Sequence, residues 1–153
     1  MTNSIRKSDR RGPTEAAINS FVGRLSPQAR SLWAKSGDET GHLSLAQHLI
    51  DSACAATVVY DKWVSNSLKE NLSQNLSLPV EEVRRLYIWL AGLHDLGKGT
   101  LTFQSQLDLK PEFRHLLSGV ADAGLPITIS ELEAPRKSMP HSVSSGLILR
   151  NWL

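Results

Sequence analysis

The chain has 153 residues, of which 41% are hydrophobic and 21% charged, a composition typical of one globular domain and not of a disordered segment. Its net charge of +2 is too small to indicate nucleic-acid binding by itself. A single cysteine, Cys54, excludes an internal disulfide and favours a reducing cytoplasm, and no apolar stretch approaches the roughly 20 residues that a membrane-spanning helix needs.

Apolar residues at helical spacing predict helices through most of the first half of the chain. The basic N-terminal arm has no apolar run after it, so it is not a secretory signal. Ser26 and Pro27 have the residue types of a helix cap and first helical position. The longest periodic pattern turns His48 inward. The predicted helices of this half are 14–24, 28–35 and 44–63, with a loop at 37–41.

The second half of the chain is also predicted to be helical, with two longer loops. Pro79, followed by Glu81 and Glu82, marks the start of a helix that runs into His94. No convincing alternation of apolar and polar residues supports a sheet, so the predicted fold is all-α. The other predicted segments are a polar loop at 66–78, a short element at 100–107, a helix at 111–120, a loop at 124–140 with a possible extended piece at 127–129, and a helix from 141 to the end.

His94 and Asp95 stand directly after the apolar run 86–93. An imidazole and a carboxylate beside a buried segment need a hydrogen bond, an ion pair or a metal, and both are good ligands for a divalent first-row cation. Gly97 allows close backbone approach, and Lys98 offers a positive charge to an anion. The same residues also fit an ordinary helix end, with Gly97 as the C-cap and Lys98 beside the helix dipole.

Three histidines on separate predicted helices are candidates for one shared site. His48, His94 and His141 are each predicted to face inward, and Asp95 adjoins one of them. Asp51 follows His48 by about one turn and could hydrogen-bond a ligand histidine. Of the remaining candidates, His42 is assigned to an exposed loop and His115 to a structural or surface role. Cys54 is assigned to a small buried position, because no activating feature is visible near it.

The order of these motifs resembles that of HD-domain nucleases. The residues that carry the resemblance are segment 45–51 with its His48, the sequence His94-Asp95-Leu96-Gly97-Lys98, Phe103-Gln104, and segment 141–153. The His-Asp-Leu-Gly-Lys sequence alone would indicate only the HD superfamily. Phe103-Gln104 and the ending 148–153 narrow the similarity to the N-terminal HD nuclease domain of the CRISPR-associated helicase-nuclease of type I systems. Residues 26–153 are therefore assigned to an HD-type nuclease domain, and residues 1–25 to an arm and first helix.

This resemblance implies a helical HD-domain bundle that cuts single-stranded DNA with two transition-metal ions, which would be iron, manganese, nickel or cobalt. It implies that His48, His94, Asp95 and His141 are metal ligands, with Asp95 bridging the two ions. Asp95 and Lys98 would be catalytic, the lysine by contacting a phosphate. The implied partners are a helicase portion, in the same or a separate chain, and an RNA-guided CRISPR surveillance complex.

The chain departs from the family pattern at its end. The family continues, after the helix that begins at His141, to two adjacent histidines and a later aspartate, and nothing here matches them. We therefore expect a C-terminally incomplete domain that binds one metal weakly. Two alternatives remain at this point, an HD phosphohydrolase acting on nucleotides and a non-catalytic helical fragment.

Overall fold

The computed structural model describes residues 14–36, 41–106, 111–127 and 139–153. The prediction of an all-α fold is confirmed, and the described strands form only one small antiparallel pair. In chain order the elements are α1 (Glu15–Gly23), α2 (Pro27–Ser31), β1 (Trp33–Ser36), β2 (His42–Ser44), α3 (Leu45–Lys62), α4 (Asn66–Leu76), α5 (Val80–Leu93), the 3-10 turn Leu96–Gly99, α6 (Leu101–Gln104), the 3-10 turn Pro111–Phe113, α7 (Arg114–Asp122) and α8 (His141–Trp152).

Hydroxyl side chains fix where several of these helices begin. In each case the oxygen of the N-cap residue accepts a hydrogen bond from the backbone N–H three residues later, at 3.2–3.3 Å. Such a cap stabilises a helix by about 1 kcal/mol. The capping residues are Thr14, Ser26, Ser44 and Ser65.

The predicted helix at 28–35 was wrong beyond its first turn. Helix α2 ends at Ser31, Leu32 is extended, and Trp33–Ser36 pairs with His42–Ser44. The backbone N–H and carbonyl of Trp33 both bond to the side-chain amide of Gln104, 71 residues later. A tertiary contact therefore overrides local helical spacing here, and the expectation that the chain has no sheet fails at this one pair.

The predicted loop at 66–78 was also wrong, because most of it is helix α4. Ser65 caps this helix, and Ser77 ends it in the left-handed conformation with φ of 54°. Leu68, Leu72 and Leu76 recur every fourth residue, which gives one apolar stripe within a polar sequence. The predicted loops at 37–41 and 124–140, and the extended piece at 127–129, lie largely outside the described residues.

Two packed regions position the residues of interest. Helices α3 and α5 lie side by side, and Gly92 approaches Ala53 so closely that a Cβ there would stand 3.3 Å from the alanine methyl. A buried cluster holds β1 against α6 and α7; its members are Trp33, Phe103, Phe113, Leu116, Leu117 and Val120. The Leu96–Gly99 turn joins these regions. No described helix is both long enough and apolar enough to cross a bilayer.

Candidate metal centre

Asp95 is the centre of the candidate site. It lies between the end of α5 and the Leu96–Gly99 turn, and only 7% of its surface is exposed. A carboxylate this well buried needs partners for its charge. The partners come from α3, from α5, from α8 and from the turn itself.

His48 approaches Asp95 from helix α3. Its Nε2 lies 2.7 Å from Asp95 Oδ2, and the histidine is buried as the sequence predicts. Ser44 caps the first turn of α3, and the backbone N–H of Leu45 donates to the carbonyl of Leu32 at 2.9 Å. These two contacts fix the start of α3, one turn before His48.

His94 follows the last residue of helix α5 and turns its Nε2 toward the same oxygen. Its Nδ1 lies 2.8 Å from the carbonyl oxygen of Ala91, and a carbonyl can only accept, so Nδ1 carries the proton. In the neutral ring Nε2 is then an acceptor, and it lies 3.2 Å from Asp95 Oδ2. Two acceptors that face each other need a cation or a proton between them. This donor set therefore fits a bound metal ion.

His141 reaches the other oxygen of the carboxylate. It is the first residue of α8, and its Nε2 lies 3.3 Å from Asp95 Oδ1. Its ring contacts Phe103 in an edge-on arrangement with centroids 5.6 Å apart. Asp95 thus has two histidines on one oxygen and a third on the other.

A close contact between Gly97 and α8 puts His141 in this position. The backbone N–H of Gly97 donates to Ser145 Oγ at 2.7 Å, and this hydroxyl donates to the carbonyl of His141 at 2.9 Å. A Cβ on Gly97 would overlap the His141 carbonyl oxygen. Ser145 was not predicted as a functional residue; its signal in the sequence is the run of small residues 144–146, one turn after the histidine.

Lys98 stabilises the ionised form of Asp95. Its Nζ lies 2.7 Å from Asp95 Oδ2 and 3.5 Å from His48 Nε2, and the lysine is 8% exposed. Burial raises the pKa of Asp95, but the hydrogen bonds from Lys98 and His48, with the charge of Lys98, more than offset this and lower the pKa to about 2. The carboxylate is therefore a charged ligand at neutral pH.

The structure brings the four predicted ligand positions together. Ligand atoms of His48, His94 and Asp95 all lie within 4.8 Å of one another, and His141 adjoins the second oxygen of Asp95. The expectation that all three histidines face inward needs correction. The side chains of His94 and His141 are 50% and 40% exposed, because they stand at helix ends on the open side of the cluster.

Other residues from the sequence analysis lie outside this cluster. Asp51 is exposed, and it accepts a hydrogen bond from Gln47 at 2.7 Å, so the structure places it beside a glutamine and not beside a histidine. The rings of His42 and His115 are arranged edge to face, with centroids 6.5 Å apart. Cys54 is a free thiol of intermediate exposure.

A large apolar cavity lies apart from the carboxylate. Its volume is about 740 Å³, and helices α3 and α5 supply most of its lining, including Leu49 and Trp89. None of the four clustered residues lines it. The candidate chemistry therefore depends on the exposed histidines at the helix ends and not on this cavity.

Comparison with known proteins gives two matches. Residues 33–153 match the family described as Cas3, HD domain. A curated relative, the CRISPR-associated nuclease/helicase Cas3 of Streptococcus thermophilus, is 32% identical over 133 residues, which cover 78% of this chain and 14% of the relative. The chain thus corresponds to about a seventh of that relative's length. No solved structure matches significantly.

Proposed function

Because this chain belongs to the Cas3 HD-domain family, we propose that it is a metal-dependent nuclease domain that cuts single-stranded DNA in CRISPR defence. One observation supports this most strongly: the two oxygens of Asp95 face histidines from three helices. A carboxylate with ligands on both sides is suited to bridge two cations. We assign residues 26–153 to the nuclease domain.

His48, His94 and Asp95 Oδ2 would hold one cation, and this is the site at which we expect weak metal binding. His141 with Asp95 Oδ1 would supply only part of the ligands of a second cation. Mixed imidazole and carboxylate ligands favour iron, manganese, nickel or cobalt over magnesium, which prefers oxygen ligands alone. Such ions, when bound, lower the pKa of water and stabilise charge on a phosphate.

The protein's own residues supply orientation and charge. Lys98 keeps Asp95 ionised and adds a positive charge beside the place where a phosphate would lie. The hydrogen bond to Ala91 holds the ring of His94 with Nε2 toward Asp95. Since His94 and His141 are partly exposed, a DNA strand could approach the cluster from their side.

The partners follow from the same family. The printed name of the relative combines a nuclease with a helicase, and this chain covers only 14% of it. We propose that a helicase portion, in the same or a separate chain, delivers a displaced strand to this site, and that an RNA-guided surveillance complex selects the DNA. The lone Cys54 agrees with action in a reducing cytoplasm.

A nicking assay on circular single-stranded DNA with Mn²⁺ tests this function. We expect the wild-type chain to open the circle slowly, and His94→Ala to reduce the rate to that measured with a chelator, because the variant lacks a ligand. His42→Ala is the matched control, since His42 lies outside the cluster, and it should retain the wild-type rate. Equal rates for wild type and His94→Ala would contradict the proposal. Hydrolysis of deoxynucleotides without nicking would favour the nucleotide phosphohydrolase instead.

A further inference from the structure

Gln104 is buried more completely than any residue of the candidate site. It is 0% exposed, although it carries a polar amide, and it stands next to Phe103 at the end of α6. A buried amide is costly unless its groups are paired. Here they are paired with backbone groups from two distant segments.

The amide of Gln104 joins β1 to the Leu96–Gly99 turn. Its Nε2 donates to the carbonyl of Lys98 at 2.7 Å and to the carbonyl of Trp33 at 2.8 Å. Its Oε1 accepts from the backbone N–H of Trp33 at 3.2 Å, and the Gln104 carbonyl accepts from the Trp33 indole at 3.2 Å. Both amide donors are used, and three buried backbone groups obtain partners.

These bonds connect two segments that adjoin ligands of the candidate metal centre. Leu32, which precedes β1, accepts from the first backbone N–H of α3, the helix that carries His48. The Leu96–Gly99 turn carries Lys98 and follows Asp95 directly. Gln104 therefore stands between the start of the His48 helix and the turn that bears the Asp95–Lys98 pair.

We propose that Gln104 is a positioning residue, which sets the distance between His48 and the Asp95–Lys98 pair through its bonds to Trp33 and Lys98. It touches no ligand atom itself. An error of about 1 Å in such a constellation is enough to weaken a metal site. The expected loss of metal affinity on replacing Gln104 rests on the proposed function, whereas the expected loosening of the Leu96–Gly99 turn does not.

The test compares Gln104→Met with Val120→Ala. Methionine keeps the shape of the side chain and removes all three amide hydrogen bonds. Val120 is also 0% exposed and belongs to the core cluster of Trp33 and Phe103, but its side chain cannot hydrogen-bond to the turn. Val120→Ala therefore serves as the control for a loss of stability in the same core. Both proteins are measured as full chains well below their unfolding temperatures.

Two readouts separate positioning from a general loss of stability. We expect Gln104→Met to weaken Mn²⁺ binding roughly 10-fold, while Val120→Ala stays within about 2-fold of wild type. Without metal, the amide protons of Lys98 and Thr100, which bond within the turn, should exchange at least roughly 10-fold faster in Gln104→Met than in Val120→Ala.

Each result has one interpretation. If wild type binds Mn²⁺ and Gln104→Met binds it equally well, or if the turn of Gln104→Met exchanges no faster than that of Val120→Ala, the positioning role of Gln104 is overturned. If wild type binds no more Mn²⁺ than Asp95→Asn, the proposed metal site fails, and the exchange rates alone then decide the role of Gln104.

Discussion

Replacing Gly97 with alanine is expected to destabilise the protein by about 2–4 kcal/mol and to separate His141 from Asp95. The new Cβ would overlap the His141 carbonyl oxygen and stand 2.6 Å from the Ser145 backbone nitrogen and 2.8 Å from Ser144 Cβ. Two of these three neighbours are backbone atoms, so no side-chain rotation relieves the overlap. Helix α8 must move away from the turn, and the bond from Gly97 to Ser145 is lost.

Gly99→Ala is the matched control for this prediction, because Gly99 lies in the same turn. A Cβ there would stand 3.4 Å from Leu45 Cδ2 and 3.5 Å from Leu32 Cδ1, which is ordinary contact with flexible side chains. The free energy of unfolding of Gly99→Ala, measured in urea, should stay within about 1 kcal/mol of that of wild type. If Gly97→Ala unfolds at the same urea concentration as Gly99→Ala, the close docking of α8 described above is incorrect.

Asp95→Asn should destabilise the metal-free protein by about 1–3 kcal/mol at pH 7. The amide is nearly the same size as the carboxylate but leaves the buried ammonium of Lys98 without its anion. This measurement is made by urea unfolding in a chelator, so that any metal effect is excluded. Asp51→Asn, which changes an exposed carboxylate on α3, should cost less than about 0.5 kcal/mol.

The difference in unfolding free energy between wild type and Asp95→Asn should depend on pH, with a definite sign. The pKa of Asp95 falls from 3.8 to about 2 on folding, so the unfolded chain binds a proton more readily than the folded one. The stabilisation is therefore fully present above about pH 4 and is lost as the pH falls toward 2. The gap in unfolding free energy between wild type and Asp95→Asn should narrow over that range. A gap that stays constant from pH 5 to pH 2 would show that Asp95 has no such stabilising partners.

The long helices could be predicted because their signals are local. Helix α3 begins after the cap Ser44 and carries apolar residues at helical spacing, and α5 begins after Pro79 with two glutamates in its first turn. Helix α4 was missed, since its leucine stripe lies within a polar sequence. Strand β1 was missed because its partners are β2 and, at Trp33, the side chain of Gln104, which lies 71 residues away, and apolar periodicity gives no sign of either contact.

The candidate site could be predicted only in part. Residue types and the order of the motifs identified His48, His94, Asp95 and His141, which the structure brings around one carboxylate. The contacts that hold them together link residues far apart in the sequence, such as Gly97 with Ser145. Periodicity carries no information about such contacts, so the role of Ser145 and the burial of Lys98 required the structure.

The most direct test of the metal site is the amount of Mn²⁺ bound per chain in equilibrium dialysis at pH 7.5. We expect wild type and Asp51→Asn to bind Mn²⁺ with the same affinity. Asp95→Asn should bind it at least roughly 100-fold more weakly, because this variant lacks the charged ligand shared by the histidines. If wild type retains no more Mn²⁺ than Asp95→Asn, the cluster around Asp95 is a set of hydrogen-bonded polar residues and not a metal centre.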